Sequence, residues 1–261
     1  MNCKICNLKT KNIFTAKILN KYHVKYYYCN HCGFLQTEEP YWIEESYEES
    51  INISDTGIMQ RNIHLSKISC LLIYFLFDKS KKFVDFAGGY GIFTRLMRDM
   101  GFDFYWQDKF SVNSVARGFE YDQDNTKDAV ELLTSFETFE HFDQPIAEIE
   151  NMLKISRNIL FSTNLLPDDL PQPDDWWYYG LEHGQHISFY SKTTLKYIAK
   201  KYNLNLYTNN FSLHLLTDKK INRLYFKLIL ISNWFGLSYL IEKTLNSRTV
   251  DDMTQFKNNE S

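Results

Sequence analysis

The sequence predicts an α/β protein built on an open, mostly parallel sheet, and three observations carry that expectation. The first is the stretch 82–97. A short apolar run (83–86) meets glycines at 88, 89 and 91, and Ile92, Phe93, Leu96 and Met97 then follow at helical spacing. An apolar run ended by glycines and followed by a 3.6-residue pattern opens a strand–turn–helix unit. The second is Asp108, which ends the apolar stretch 102–108 and lies 19 residues beyond Gly89. Nucleotide-binding α/β folds place an acid at about that distance for ribose hydroxyls. The third is an alternation of strand-like and helix-like stretches between 129 and 217, closed by two strands that turn at Asn210.

The elements follow in order. Residues 1–40 hold two C-x-x-C pairs, Cys3 with Cys6 and Cys29 with Cys32, and Gly33 follows the second. Such pairs suit tetrahedral Zn²⁺ on four thiolates. The residues between them are long enough for a hairpin, 12–19 and 22–28. Four ligands close a zinc site, so this metal is expected to be structural. His31, inside the second pair, is expected to be solvated. Cys70, in the apolar run 68–77, reads as a buried thiol.

Residues 41–50 are acidic and aromatic (Tyr41, Trp42, Glu44, Glu45, Tyr47, Glu48, Glu49) and are expected to cover the ligand site or to form a solvated helix. A helix over 61–77 carries Ile63, Ile68, Leu71, Leu72 and Phe75 on one side. Beyond Asp108 come a short strand near 117–121, a strand at 129–135, a helix at 146–153 and a strand at 157–162. The loop 166–179 holds three of the five prolines and the run Trp176, Trp177, Tyr178 and Tyr179. It is expected to be a rigid substrate wall, or else to pack on the cysteine ribbon.

Ser191 reads as the N-cap of a helix to 202, followed by strands at 204–209 and 211–217. A long helical run at 221–245 contains Asn222, Arg223, Lys227 and Asn233, which argue against a membrane span. An amphipathic cap, or a face for a partner or a membrane surface, fits it better. The polar tail from Asn246 is expected to be mobile. The resulting division is 1–40, 41–217 and 218–261.

Composition bounds the function. Hydrophobic residues make up 44% of 261, ample for a core, and the net charge of −3 argues against a large phosphate-backbone footprint, so nucleic acid is not an expected partner. The first 30 residues are lysine-rich without a long apolar core, which predicts no signal peptide and a cytoplasmic location, where disulfides are rare.

The spacing Asp85-x-Ala87-x-Gly89-x-Gly91 resembles the first motif of class I S-adenosylmethionine-dependent methyltransferases, D/E-x-G-x-G-x-G, with Ala87 in place of one glycine. A dinucleotide fingerprint would instead need glycine at Thr94. The resemblance implies a Rossmann-like seven-stranded class I methyltransferase sheet, six strands parallel and one antiparallel, with a small N-terminal zinc ribbon and a C-terminal helical extension. It implies S-adenosyl-L-methionine as cofactor, contacted by Asp85, Ala87, Gly88, Gly89, Gly91, Asp108, Ser135 and Phe136.

The segment Glu137-x-x-Glu140-His141 is similar to one found in quinone-biosynthesis O-methyltransferases and in small-RNA ribose O-methyltransferases. That likeness implies Mg²⁺ or Mn²⁺ on Glu137, Glu140 and His141, with His186 at the position of a further histidine ligand. Glu182 beside His183 resembles a Glu-His pair placed as base in sugar C-methyltransferases, and His183 or His186 is expected to serve as general base. The N-terminal cysteine ribbon also occurs in those deoxysugar enzymes, and the likeness to them stops near residue 217.

The aromatic-Glu-His-Gly-Gln-His segment is similar to that of compact methyltransferases of bacterial surface-glycan pathways. The expectation is therefore O-methylation of a sugar or related small acceptor, such as a nucleotide-activated precursor, in capsule or lipopolysaccharide biosynthesis. The alternatives are C-methylation of a deoxysugar, metal-dependent methylation of RNA ribose, and a non-catalytic methyltransferase-fold protein that binds a partner.

Overall fold

The computed structural model describes residues 1–47, 55–123 and 129–259. Near the N-terminus β1 (Lys11–Ile18) and β2 (Tyr22–Tyr28) pair antiparallel. Leu19 and Asn20 between them both have positive φ, as a tight hairpin turn of matching twist requires. Along β2, Val24 and Tyr26 are buried while His23 and Lys25 face solvent, the period-2 pattern of a strand with one wet face. β3 (Phe34–Thr37) continues this sheet, and β8 (Ser188–Tyr190) completes it in the order β1-β2-β3-β8.

The second sheet holds β4 (Lys82–Phe86), β5 (Asp103–Gln107), β6 (Val130–Ser135), β7 (Ile159–Ser162), β9 (Asn205–Thr208) and β10 (Leu213–Thr217), in the order β5-β4-β6-β7-β10-β9. β4 runs parallel to β5 and β6, whereas β10 runs antiparallel to β7 and β9. Among the described residues the sheet is thus mixed and has six strands, where seven were expected. The expected strand at 117–121 contributes only an isolated bridge from Glu120 to Trp106. Gly118 at φ +86° turns the chain out of extended geometry just before it.

Two compact units make up the chain: Met1–Asn52 with Ser135–Lys219, and Ile53–Thr134 with Lys220–Ser261. The first carries α1 (Ile43–Ser46), α4 (Pro145–Ile155) and α5 (Lys192–Lys201). Ser191 caps α5 as expected, accepting from Thr194 N while the Thr194 side chain answers the cap's own amide. An aromatic core joins Tyr26, Trp42, Tyr178, Tyr179 and Phe189 to Ile18, Val24 and Leu35.

This core bears on two expectations. Trp42 is buried, with its indole N–H donated to Gly184 O, and anchors the 41–47 segment to the core, while α1 within it leaves Glu44 and Glu45 exposed, as in the expected solvated helix. Glu48, Glu49 and Ser50 lie outside the described residues. Tyr178 and Tyr179 also point into the core, Tyr179 meeting Tyr26 at 5.6 Å. The loop 166–179 therefore packs on the hairpin, and of its aromatic run Trp177 alone stands free, 76% exposed. Burying two amphipathic tyrosines against the hairpin removes far more apolar area from water than a solvent-facing wall would.

The second unit carries α2 (Ile58–Leu76), α3 (Ile92–Asp99), α6 (Arg223–Ser232), α7 (Leu237–Glu242) and α8 (Thr249–Asn259). Leu71 and Leu72 of α2 are buried with Cys70, but Ile63 and Phe75 face outward. The helical run at 221–245 is not continuous. Gly236, left-handed at φ +74°, ends the 3₁₀ turn that follows α6 and starts α7, as glycine does at helix ends.

The tail from Asn246, expected to be polar and mobile, carries a helix. It forms α8, anchored through Asp252, whose carboxylate accepts from Arg98 Nε (2.8 Å) and Nη2 (2.7 Å) in a bidentate pair. Phe256 adds a ring contact to Phe119 at 5.2 Å. No helix among the described residues is long and apolar enough to cross a membrane.

Candidate functional site

The glycine turn after β4 is held in shape by its own unit. Asp85, 2% exposed, ends up between two threonine hydroxyls: Thr94 donates to Oδ2 and Thr134 to Oδ1, each at 3.0 Å. Burial pushes its carboxyl up to about 7 in spite of those two bonds. Ala87, Gly89 and Gly91 all take positive φ, Gly91 as the N-cap of α3. A Cβ at Gly88 would stand 2.7 Å from Asp85 Oδ2, and one at Gly91 2.6 Å from Asn113 Oδ1, so bare backbone is required at both.

Asp108 completes the turn. Gly89 N donates to its Oδ2 at 2.9 Å, and Phe110 N and Ser111 N donate to its Oδ1 at 2.7 and 2.8 Å. The Trp106 indole N–H donates to Gly89 O. The two acids expected to meet a cofactor thus both serve the turn as well. Asp85 is enclosed and acts from behind. Asp108 is half-buried, with three amides on a carboxylate that offers roughly four acceptor positions, so it retains capacity for a hydroxyl. Backbone without side chains at the start of a helix and a carboxylate at a strand end fit a nucleoside-bearing cofactor.

The other unit gathers imidazoles. Glu140, His141 and His186 bring potential ligand atoms within 4.8 Å of one another. The rings of His141 and His186 lie 5.0 Å apart, and those of His183 and His186 4.7 Å. His186 Nδ1 stands 2.6 Å from Tyr178 O, and His141 Nδ1 3.1 Å from Gln185 O and 2.9 Å from the Tyr47 hydroxyl. A carbonyl only accepts, so Nδ1 carries the proton on both rings and Nε2 is left with its lone pair. Burial lowers the pKa of all three histidines, and for His186 the neighbouring His141 and His183 add to it. All three are therefore neutral at pH 7.

Two predicted members stand apart from this cluster. The Glu137 carboxylate accepts from the Ser162 hydroxyl, which in turn accepts from Glu137 N, and it is not among the clustered ligands. Its φ of +51° marks the local turn that directs it there. Glu182 is exposed. The Ser135 hydroxyl is buried with no hydrogen-bond partner among the described residues, and Phe136 is half-buried.

Sequence reasoning did not find Tyr47, nor the carbonyls of Tyr178 and Gln185 that fix the histidine tautomers, because each meets its histidine through backbone or long-range packing. Thr94 was visible only as a departure from the dinucleotide pattern; its hydroxyl is what that position contributes.

The four cysteines of 1–40 converge. Sγ–Sγ distances are 3.5 Å for Cys3–Cys32 and for Cys6–Cys29, all four sulfurs lie within 4.8 Å, and none is in a disulfide. Tetrahedral zinc with bonds of about 2.3 Å places sulfurs roughly 3.8 Å apart, so the cluster has the right size. Ile5 N donates to Cys3 Sγ and the Thr194 hydroxyl to Cys32 O, further supporting the loops.

The sequence matches the family described as Methyltransferase domain over residues 59–209, more than half of the chain. No curated protein matches it. Among solved structures it is similar to OxaC in complex with sinefungin and meleagrin (16% identity, 53% of this chain and 43% of that one, TM-score 0.39). It is similar to an O-methyltransferase family protein from Burkholderia thailandensis (12%, 65% and 62%, TM-score 0.45). A third is magnesium protoporphyrin IX methyltransferase from Synechocystis with bound S-adenosylmethionine (12%, 68% and 93%, TM-score 0.40). The aligned part spans less than two thirds of the first two of these. The chain belongs to the methyltransferase-domain family.

Proposed function

We propose that the chain methylates a hydroxyl oxygen of a sugar or related small acceptor, such as a nucleotide-activated precursor, in surface-glycan biosynthesis. The observation that carries oxygen as the target is the neutral imidazole cluster, in which two rings have Nδ1–H fixed by carbonyls and Nε2 left as a base. A small, polar acceptor agrees with the net charge of −3, which disfavours RNA. The glycan assignment rests on the likeness of the segment around Glu182 to His186.

The turn at Gly88, Gly89 and Gly91, with Asp108, holds the cofactor in this reading. S-adenosylmethionine supplies a sulfonium methyl that is already activated, so the protein's share is alignment and proton removal. His186 Nε2 takes the hydroxyl proton, and the Tyr178 carbonyl stabilises the imidazolium through Nδ1–H. The His183 ring meets it edge-on at 4.7 Å and borders the acceptor side. Because these pKa values are lowered, the base form persists below the ordinary imidazole value of about 6.5. Turnover should stay flat from neutral pH to below that value before it falls, which a pH profile at saturating acceptor would check.

A second reading has its own support. Glu140, His141 and His186 have the spacing of a divalent-ion site. Without Glu137 the donors are one carboxylate and two imidazoles, which suit Mn²⁺ better than Mg²⁺. Such an ion would lower the acceptor hydroxyl's pKa. We further propose that the four cysteines hold one structural Zn²⁺.

The test is methyl transfer to a panel of nucleotide sugars, read as mass gain. His186→Ala should lower turnover by about 10² or more. If activity survives EDTA with the cysteine metal retained, the histidine acts alone; if it vanishes and returns with Mn²⁺, the ion is required. Near-full turnover in both His183→Ala and His186→Ala would overturn the proposal.

A further inference from the structure

The stretch 219–241 carries four basic residues and no Asp or Glu, in a chain whose net charge is −3. It forms α6, a 3₁₀ turn (Asn233–Phe235) and α7. Phe226 and Ile229 are the buried side chains of α6. Yet Leu224, Leu228, Ile231 and Phe235 recur at helical spacing and are all exposed. The helix is therefore apolar on two faces, one inside the fold and one outside it.

The outer face ends in a protruding tip. Trp234 is 88% exposed and Phe235 83%, and Gly236 just after them has nothing within 4 Å of where a side chain would begin. Tyr239 and Leu240 extend the apolar surface along α7. Lys220, Arg223 and Lys227 are exposed around it, and Lys243 Nζ lies 4.2 Å from the Tyr239 ring centre. Two adjacent large apolar side chains at a helix–helix turn, with several bases and a single half-buried acid, Glu242 at the end of α7, beside them, are what an interfacial helix presents to a bilayer.

We propose that this face docks on a membrane surface rich in anionic lipid. Trp234 and Phe235 enter the headgroup–acyl boundary, with Leu228, Ile231 and Leu240 behind them. Lys220, Arg223 and Lys227 meet the anionic headgroups, each contributing attraction that salt screens. A second copy of the chain fits less well. A two-fold contact would set Lys220, Arg223 and Lys227 against themselves, with the single half-buried Glu242 of α6 and α7 to answer them. This docking is independent of which acceptor the enzyme methylates.

Co-sedimentation of the full chain with extruded vesicles tests it. The chain should bind phosphatidylglycerol-containing vesicles and not pure phosphatidylcholine. Raising salt to about 0.5 M should release it. Trp234→Ala with Phe235→Ala should weaken binding at least tenfold, as should Arg223→Glu with Lys227→Glu. Both pairs are solvent-facing, so unchanged melting curves would confirm intact folding. Absence of binding to anionic vesicles at low salt would overturn the proposal, as would equal binding by the Trp234/Phe235 variant. A wild-type dimer in sedimentation velocity that this variant dissolves would assign the face to a second copy instead.

Discussion

Asp85 stands where a cofactor-contacting acid was expected, yet its two oxygens accept from Thr94 and Thr134 inside its own unit. Its role in the structure is to fix the turn that presents the backbone. This has a pH consequence. A carboxyl raised from about 4 to about 7 is protonated in the native state and ionised in the unfolded chain between those values. The native state then binds more protons, so this group's stabilisation is full below about pH 4 and is lost as pH rises through about 7. The three buried histidines act oppositely: their contribution is full above about 6.5 and is lost as pH falls below it. The Asp85→Asn variant isolates the first effect. Relative to wild type it should gain roughly 1 kcal/mol or more between pH 5 and pH 8, measured by calorimetric melting. A pH-independent difference would contradict the raised carboxyl.

At the scale of elements, what was legible depended on how local the determining contacts are. The β4–turn–α3 unit, the β1–β2 hairpin, the capped α5 and the β9–β10 pair were all readable, because an apolar period, a cap or a turn residue lies within a few positions. The pairing of β8 with β3 was not readable, because Ser188–Tyr190 is three residues long and its partner lies far back in the chain. The helix in the tail was not legible for a related reason: its contacts, an ion pair of Asp252 with Arg98 and a ring contact of Phe256 with Phe119, are far apart in the sequence.

Two predictions belong here. Asp252→Ala leaves Arg98, buried under the Phe119 ring, without its bidentate partner, and should cost about 3 kcal/mol in thermal unfolding. A loss below about 0.5 kcal/mol would restore the mobile tail. Freshly purified, reduced protein should carry one zinc per chain by elemental analysis, and Cys6→Ser should lose it together with the protection of β1–β3 from hydrogen exchange. Metal-free protein with unchanged protection would defeat the zinc assignment.

In the molecule as a whole, the cofactor turn and the imidazole cluster belong to different units. The sequence motifs named both, and the family match agrees with the fold they implied, but the candidate set changed on folding. Glu137 turned to Ser162, Glu182 stayed outside, and Tyr47 entered through a hydrogen bond that no local pattern encodes. The central claim is that the turn at Gly88, Gly89 and Gly91 binds S-adenosylmethionine through Asp108. Titration calorimetry with S-adenosylhomocysteine tests it most directly. The account predicts one site per chain with a Kd on the order of 1–100 µM, at least tenfold weaker in Asp108→Ala and unchanged in His186→Ala. No heat of binding at high micromolar concentration, or equal affinity in Asp108→Ala, would contradict it.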